Sequence, residues 1–317
     1  MKGISHFASG LCVASFVPGV AAAAANGDLS IALGGACAML PDFLDFRFAR
    51  FLEKPDAEIV PDLKHPDPQI LADAVAAQLR AVAKDGRPRI VHLHPVRRSL
   101  IDWTLYTVRF DPARGEVGIT LLGLDPAPSA SAPAGALEYG YDGAIDISEL
   151  GGPSFRFSPG PRGVQIEFLP WHRAWSHSLL LALGLGLLLA LVFGPTAGLV
   201  GALGYATHAL EDQLGYMGSA LFWPLFKGRS RGLGLLHAGD TIPNMVTVWL
   251  SLTLLLLNLD RALPTPLLAM GPYLAFAVAL PTVVLLGIYA QRKLRVVLGP
   301  GLAEQQKDLV AESADGS

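Results

Sequence analysis

Histidines and carboxylates stand beside hydrophobic runs at five separate places in the chain. They are His6, Asp42, Asp45, His172, His177, His208, Asp212, His237 and Asp240. Imidazole and carboxylate without thiolate suit Zn²⁺, with Mn²⁺ or Fe²⁺ as alternatives. An ionisable group at bilayer depth costs about 2.5 to 3.5 kcal/mol, and a bound cation would offset that cost. We therefore predict a metal centre of about two or three divalent ions with these residues as ligands.

The spacing of these residues favours shared ions. His208 and Asp212 are four positions apart, so on a helix they lie on one face and can bind one ion together. Asp42 and Asp45, at i and i+3, have the same property. Taken alone, each pair could equally be two polar side chains on the surface of a helix that binds no metal. The prediction of a metal centre depends on all of these pairs converging.

Two further residues are candidates for catalysis. Arg173 carries a fixed fork of donors, which suits an anionic group such as a phosphate and predicts neutralisation of charge that develops on it. Glu211 is a candidate ligand or general base, and the residues leave both roles open. His172 and His177 would be about 140° apart around a helix, so they could not share a metal site if both were helical. We therefore expect His172 in the loop and His177 on the first helical turn. The competing interpretation is a set of interfacial side chains paired with Arg47 and Arg173.

The elements that must position these residues are those of a membrane protein. The 317-residue chain is 51% hydrophobic and only 16% charged, and its mean hydropathy is +0.42. Soluble domains carry about 25% charged residues. A net charge of -3 gives no basic field, so we expect no nucleic acid partner. Cys12 and Cys37 lack CxxC spacing and predict neither a disulfide framework nor a thiolate metal site.

Apolar stretches divide the chain into four regions. The stretches lie at about 7–25, 29–46, 178–193, 196–210, 242–259 and 267–290. The predicted fold class is therefore mainly α, a polytopic membrane protein of about six apolar helices with a small soluble α+β insert. The predicted regions are 1–52 with the first metal ligands, the insert 53–170, 171–292 with the remaining ligands, and a polar tail at 293–317.

Lysine and arginine set the expected orientation. If six spans cross the membrane alternately, nearly all lysines and arginines of the connecting segments lie on one side of the membrane, and only Arg261 lies on the other. By the positive-inside rule this predicts a multi-pass protein of the plasma (inner) membrane with both termini and the insert in the cytoplasm. An alternative is a cleaved signal peptide, because an apolar run precedes AxA-like sites near residues 21–25. Cleavage there would remove His6.

The insert combines one amphipathic helix with several strands. Asp67 and Pro68 predict a helix start, and the helix is expected to end near Asp85 and Gly86. Strand-like runs follow, and residues 125–135 are expected to form a mobile loop because they are rich in Pro, Ala and Ser. His92 and His94 share one face of a strand, a spacing that can hold metal. With no third ligand nearby in the sequence, the solvent-facing or packed interpretation is favoured.

Several motifs follow one another in the order of a known family. They are His6, LPDFLD at 40–45, HRAWSHSLL at 172–180, GYATHALEDQL at 204–214 and LFWPL at 221–225. Over about 1–50 and 170–260 the chain resembles the inner-membrane metal-dependent hydrolases, also called LexA-binding membrane-associated hydrolases. More remotely, it is similar to the zinc phospholipase C and P1 nuclease group, from which it departs by carrying HAGD at 237–240 in place of a second HxxxD or HxxxE. The resemblance implies a hydrolase.

The function predicted from these observations is hydrolysis of a phosphoester by a membrane-bound, metal-dependent enzyme. The expected partners are the lipid bilayer and a phospholipid or another membrane-associated phosphoester, and the residues identify no protein partner. Two alternatives stay open. One is an ion or metal transporter that uses the same acids. The other is a membrane scaffold that binds a soluble regulator and holds a structural metal.

Overall fold

The chain forms two compact units. The computed structural model describes residues 2–49, 54–62, 65–97, 103–104, 106–123, 125–139, 144–147, 154–226, 228–236 and 238–291. One unit, the helical unit, contains Met1–Pro41 and His177–Ser317. The other, the insert unit, contains Asp42–Ser176. The insert unit is therefore wider at both ends than the 53–170 region predicted from the sequence.

The described residues form eight α-helices. They are α1 (Gly3–Ser15), α2 (Val20–Ala25), α3 (Ser30–Leu44), α4 (Pro68–Asp85), α5 (Leu179–Phe193), α6 (Pro195–Glu211), α7 (Thr241–Arg261) and α8 (Met270–Gln291). A π-helical turn over Asp45–Ala49 follows α3, and α8 contains a π-helical stretch over Leu274–Ala279. Only α4 belongs wholly to the insert unit.

The prediction of a six-span polytopic helical protein is wrong. Among the described helices, only α7 and α8 are long and apolar enough to cross a membrane. The first apolar run breaks into α1 and α2 at Pro18 and Gly19, because proline lacks an amide donor and Gly19 has a φ of 82°. With 15 residues, α5 is about 22 Å long, short of the roughly 30 Å hydrocarbon core. The described residues also form two main β-sheets, so the protein is not a polytopic helical protein with a minor insert.

Glycines allow the helices of the helical unit to approach closely. A β-carbon added at Gly34 in α3 would lie 2.5 Å from the carbonyl oxygen of Gly10 in α1. A β-carbon at Gly186 in α5 would lie 2.9 Å from the carbonyl oxygen of Gly198 in α6. Small residues at helix contacts are typical of proteins that pack without a hydrophobic driving force between helices.

A row of hydrogen bonds joins α1 to α7. The bonds run from Ser5 Oγ to Asn244 Oδ1 at 2.8 Å, between the hydroxyls of Ser9 and Ser251 at 3.3 Å, and from Asn258 Nδ2 to Ser15 Oγ at 2.8 Å. On α7 these partners are seven residues apart, two helical turns, so they lie along one side of the helix. We refer to this row as the polar seam. It fixes the N-terminal helix alongside one of the two candidate membrane helices.

The insert unit is built on two main sheets. Its strands are β1 (Ala57–Ile59), β2 (Arg89–Leu93), β3 (Val96–Arg97), β4 (Trp103–Thr104), β5 (Tyr106–Asp111), β6 (Glu116–Leu121), β7 (Ser129–Pro133), β8 (Leu137–Glu138), β9 (Ile145–Ile147), β10 (Ser154–Pro159) and β11 (Val164–Phe168). The five-stranded sheet has the order β1-β2-β10-β11-β8, and the four-stranded sheet has the order β7-β6-β5-β9. Strands β3 and β4 form a separate short pair.

Helix α4 and the sheets enclose one apolar core. The helix begins as predicted, with the Asp67 carboxylate accepting from Gln69 N, and ends at Gly86 with a φ of 66°. Leu79 on α4 and Phe155 on β10 are both fully buried in this core. The prediction of a mobile loop at 125–135 is wrong for residues 129–133. Residues 129–133 form strand β7, because their small side chains fit an edge position that pairs with β6.

Candidate metal centre

The α5–α6 hairpin brings distant residues of the helical unit together. His177 ends a 3-10 turn, and the next residue, Ser178, caps α5 by accepting from Leu180 N at 3.1 Å. His208 lies in the last turn of α6, and Asp212 is its C-terminal cap. Since only Gly194 separates the two antiparallel helices, the start of α5 and the end of α6 lie at the same level. The turn therefore positions His177 opposite His208.

Three ligand atoms converge at this level. Asp212 Oδ2 lies 3.2 Å from His177 Nε2 and 3.4 Å from His208 Nε2, and the two nitrogens are 3.1 Å apart. All three side chains are at most 2% exposed. Around a tetrahedral Zn²⁺ with bonds of about 2.05 Å, neighbouring ligand atoms are about 3.3 Å apart. These atoms thus form a triangle of the size that such an ion requires, and the group could hold a metal ion.

The backbone of α3 sets the tautomer of His208. Nδ1 of His208 lies 2.6 Å from the carbonyl oxygen of Ala38, which can only accept, so Nδ1 carries the proton and donates it. In the neutral imidazole, Nε2 then holds a lone pair that faces the cluster. Metal-bound histidines typically have their other ring nitrogen fixed in this way by a carbonyl or a carboxylate.

His6 joins the same cluster from α1. Its Nδ1 lies 2.7 Å from Glu211 Oε2, and its ring stacks on His208 with centroids 3.8 Å apart. Its Nε2 is buried, makes no hydrogen bond to any described residue, and lies 3.5 Å from Asp212 Oδ1. Burial alone would lower the pKa of His6, but its contacts with Asp212 and Glu211 outweigh burial and raise it. The two carboxylates therefore favour positive charge at this position.

In the insert unit, Asp45 holds the residues that precede α5. The buried carboxylate of Asp45 accepts from Nδ1 of His172 at 3.0 Å, from the backbone N of Arg173 at 2.8 Å and from the hydroxyl of Ser176. Arg173 has a φ of 56°, a conformation that costs a non-glycine residue about 1 kcal/mol. Asp45 therefore stabilises a strained bend at His172 and Arg173. Asp42 is half-buried on the last turn of α3.

The remaining predicted ligands lie apart or outside the described residues. His237 is outside them. Asp240 precedes α7, and its Oδ2 accepts from the hydroxyl of Tyr289 at 2.7 Å, so it ties α7 to α8. It is not among the described groups that could hold a metal ion.

Sequence reasoning missed the groups that orient the candidate ligands. The carbonyl of Ala38 and the cap at Ser178 cannot be found from residue type, because any residue supplies a carbonyl and many serines cap helices. The hydroxyl of Ser176 is similar, since its partner Asp45 is remote in the chain. The short spacing from His172 to His177 was the available signal that this segment bends before α5.

One family model matches part of the sequence. The sequence model of the YdjM inner membrane protein family matches residues 153–293, less than half of the chain. The match includes His172, His177, His208 and Asp212 but not His6, Asp42 or Asp45. Neither the curated proteins nor the solved structures contain a match to the chain.

The family match and the two apolar helices α7 and α8 support a membrane location. The match agrees with the inner-membrane part of the resemblance noted in the motifs. It does not extend to hydrolase activity or to the zinc phospholipase C and P1 nuclease group. Over the matched residues, the chain is similar to a family of inner membrane proteins.

Proposed function

We propose that this protein is a membrane-bound, metal-dependent hydrolase that cleaves a phosphoester in a lipid or another membrane-associated substrate. One observation carries the proposal. Buried Nε2 atoms of His177 and His208 and Oδ2 of Asp212 form a triangle with sides of 3.1 to 3.4 Å. Burial of such groups is costly in the absence of a compensating charge, and a divalent cation supplies it.

The chemistry follows from the ligand type. A Zn²⁺ ion at such a ligand set would make bound water acidic enough to provide hydroxide near neutral pH and would polarise phosphate oxygens, and Mn²⁺ or Fe²⁺ are the alternative ions. His177, His208 and Asp212 would hold the ion, with His6 as the next ligand. The contact between Nδ1 of His208 and the carbonyl of Ala38 selects the neutral tautomer in which Nε2 carries the lone pair that would bind the ion.

Glu211 acts in this proposal as a positioning residue. Its carboxylate accepts the Nδ1 proton of His6 at 2.7 Å, which directs Nε2 of His6 towards Asp212. A carboxylate bonded to the outer nitrogen of a ligand histidine also raises the basicity of that ligand. This contact favours orientation of His6 over the roles of ligand or general base that the sequence left open.

Several ligand predictions stay predictions. Asp42, Asp45 and His172 are proposed as further ligands on residue type and chain order, and the role proposed for Arg173 is binding of the substrate phosphate. Alanine variants of each, compared by metal content and by KM for substrate, test these roles separately. Loss of affinity for substrate with unchanged metal content is expected for Arg173 alone.

The two long apolar helices suggest an orientation. Three basic residues precede α7 in the chain and three follow α8: Lys227, Arg229 and Arg231, then Arg292, Lys293 and Arg295. At the connection between the two helices there is a single basic residue, Arg261. By the positive-inside rule, the outer ends of α7 and α8 face the cytoplasm. A reporter enzyme active only in the cytoplasm, fused after Ser317, is expected to be active. Activity of a periplasmic reporter there would contradict this orientation.

The activity test uses the full chain purified in detergent. Bis(p-nitrophenyl) phosphate and phospholipid vesicles serve as substrates, before and after chelation and with Zn²⁺ restored. We expect turnover that chelation abolishes, that Zn²⁺ restores and that His208→Ala reduces by about 100-fold or more. The control is His65→Ala, at an exposed histidine of the insert unit, and its turnover should be unchanged. Metal that stays bound without turnover of any ester would contradict the hydrolase. Ion flux in liposomes would then identify a transporter, and no flux would favour a scaffold.

A further inference from the structure

The chain between α6 and α7 forms a loop whose two sides meet at a neck. Backbone bonds run across the neck from Ser230 N to Ser219 O at 2.9 Å and from Leu233 N to Gln213 O at 2.7 Å. The hydroxyl of Ser230 also donates to Oε1 of Gln213 at 2.7 Å. These bonds join the two ends of residues 220–229, which we call the loop tip.

A glycine in the neck and the start of α5 hold the loop in place. A β-carbon added at Gly218, whose φ is 66°, would collide with the carbonyl oxygen of Ser230 on the other side of the neck. A side chain at this position would therefore force the neck open. In the loop tip, the carbonyl of Trp223 accepts from the hydroxyl of Ser178 at 2.6 Å. The backbone of the loop tip is thus bonded to the residue that caps α5.

Large apolar side chains of the loop tip are exposed. Phe222, Leu225 and Phe226 are 52%, 72% and 67% exposed, and the two phenyl rings pack edge to face with centroids 6.5 Å apart. Exposed apolar clusters of this kind mark sites of contact with another protein or with a membrane. The described residues leave this apolar cluster open to its surroundings.

Charge and chain position favour a membrane over a second protein surface. Residues 213–239 contain all three basic residues that precede α7 and no aspartate or glutamate. Like charges would repel a second copy of the loop, whereas a basic segment beside a membrane helix attracts anionic phospholipids. Leu235, at the end of the loop, is six positions before Thr241, where the candidate membrane helix α7 begins. An extended chain advances at most about 3.6 Å per residue, so Leu235 lies within about 22 Å of that helix.

We propose that the loop tip inserts into the cytoplasmic leaflet beside α7 and binds anionic phospholipid. In this arrangement Phe222, Leu225 and Phe226 lie among the acyl chains, and the exposed side chain of Arg231 lies at the level of the lipid phosphates. Such insertion requires the membrane location of the chain but not the proposed hydrolase activity. The candidate ligand Asp212 directly precedes the neck, so an inserted tip would keep the metal cluster close to the lipid surface.

The test measures the membrane depth of the loop tip in the full-length protein, reconstituted in bilayers of phosphatidylcholine and phosphatidylglycerol. A nitroxide spin label is attached to Leu225→Cys after Cys12→Ala and Cys37→Ala have removed the two native thiols. Power saturation in electron paramagnetic resonance compares collisions of the label with oxygen, which concentrates in lipid, and with a water-soluble nickel chelate. The matched control is a label at Ile70→Cys in the same background, an apolar position 65% exposed on α4.

We expect the label at Leu225→Cys to collide more often with oxygen than with the nickel chelate, and the label at Ile70→Cys to show the reverse. Omission of phosphatidylglycerol should shift the tip label towards water. Arg231→Gln should reduce that shift, whereas Arg114→Gln, at an exposed arginine of the insert unit, should not.

Two results for the label at Leu225→Cys would overturn the proposal. One is the same exposure to water as at Ile70→Cys. The other is shielding from both reagents, which would identify a protein partner or a second copy on the loop tip. His208→Ala should leave the depth of the tip label unchanged, so failure here is distinguishable from failure of the metal centre.

Discussion

In the insert unit, aromatic and aliphatic side chains fill the interior, as in a protein that folds in water. Phe155 and Leu79 are fully buried, and the charged residues of its helix α4 lie outside. In the helical unit the interior holds His6, His208 and Asp212, while large apolar residues such as Leu191 are 77% exposed. The helical unit therefore exposes large apolar side chains of the kind that fill the core of the insert unit.

From this difference we expect the two units to be stabilised by different forces. Burial of apolar area from water accounts for the insert unit. Lipid is as apolar as leucine, so helices in lipid associate through close packing and hydrogen bonds. The glycine contacts between α1 and α3 and the polar seam between α1 and α7 are contacts of that second kind.

The largest expected contrast comes from removing one phenyl ring in each unit. Phe155→Ala in the core of the insert unit should cost about 3 to 5 kcal/mol in free energy of unfolding, since it leaves a cavity. Phe193→Ala removes a ring that is 71% exposed at the end of α5, and it should cost well under about 1 kcal/mol. Urea unfolding followed by amide exchange of each unit measures both. Similar losses would show that the units do not differ.

The next contrast places a charge on an exposed apolar position in each unit. Leu280→Lys lies near the middle of α8, where a lysine in the bilayer should cost about 2.5 to 3.5 kcal/mol and reduce membrane insertion. Ile70→Lys is at a position 65% exposed on α4 and should be nearly neutral. The measurement is the fraction of protein that resists alkaline extraction from membranes. Full retention of Leu280→Lys would mean that α8 does not meet lipid.

Glycine contacts give a smaller effect. Gly34→Ala would drive a methyl group to 2.5 Å from the carbonyl oxygen of Gly10, and we expect about 1 to 3 kcal/mol of destabilisation. Gly184→Ala, on α5, has no atom within 4 Å of the added carbon and is the matched control, expected to be neutral or slightly stabilising. Thermal unfolding in detergent compares the two. An unchanged melting temperature for Gly34→Ala would contradict the close helix approach.

The smallest effect is expected in the polar seam. A double-mutant cycle of Ser15→Ala and Asn258→Leu should give a coupling of about 0.6 to 1 kcal/mol, the size of hydrogen-bond couplings measured within membrane proteins. The cycle is measured by unfolding in mixed micelles. Coupling near zero would mean that the seam orients α1 without stabilising it.

Local patterns in the sequence predicted the elements better than the architecture. Apolar periodicity located α4 to within a residue or two, and the close spacing around Gly194 indicated the α5–α6 hairpin. The number of membrane spans could not be predicted from local sequence patterns. It depends on where each helix breaks, and Pro18 shortened the first run below a membrane thickness.

For the site, residue type and i, i+4 spacing were enough to find His208 with Asp212, and chain order suggested His177. The contribution of Ala38 is a backbone carbonyl and has no signature in the sequence. The pairing of Glu211 with His6 joins residues 205 positions apart, so only the packing of α1 against α6 reveals it. Long-range geometry therefore assigned the orienting groups, whereas composition suggested the ligands.

The most direct test is metal analysis of the full-length protein, purified without added metal, beside His177→Ala, His208→Ala, Asp212→Ala and the control His65→Ala. The account predicts at least one tightly held Zn²⁺, Mn²⁺ or Fe²⁺ per chain in the wild type and the control. X-ray absorption should show only nitrogen and oxygen neighbours, and each of the three cluster variants should lose the ion. A wild type free of metal, or cluster variants with the metal content of the wild type, would contradict it.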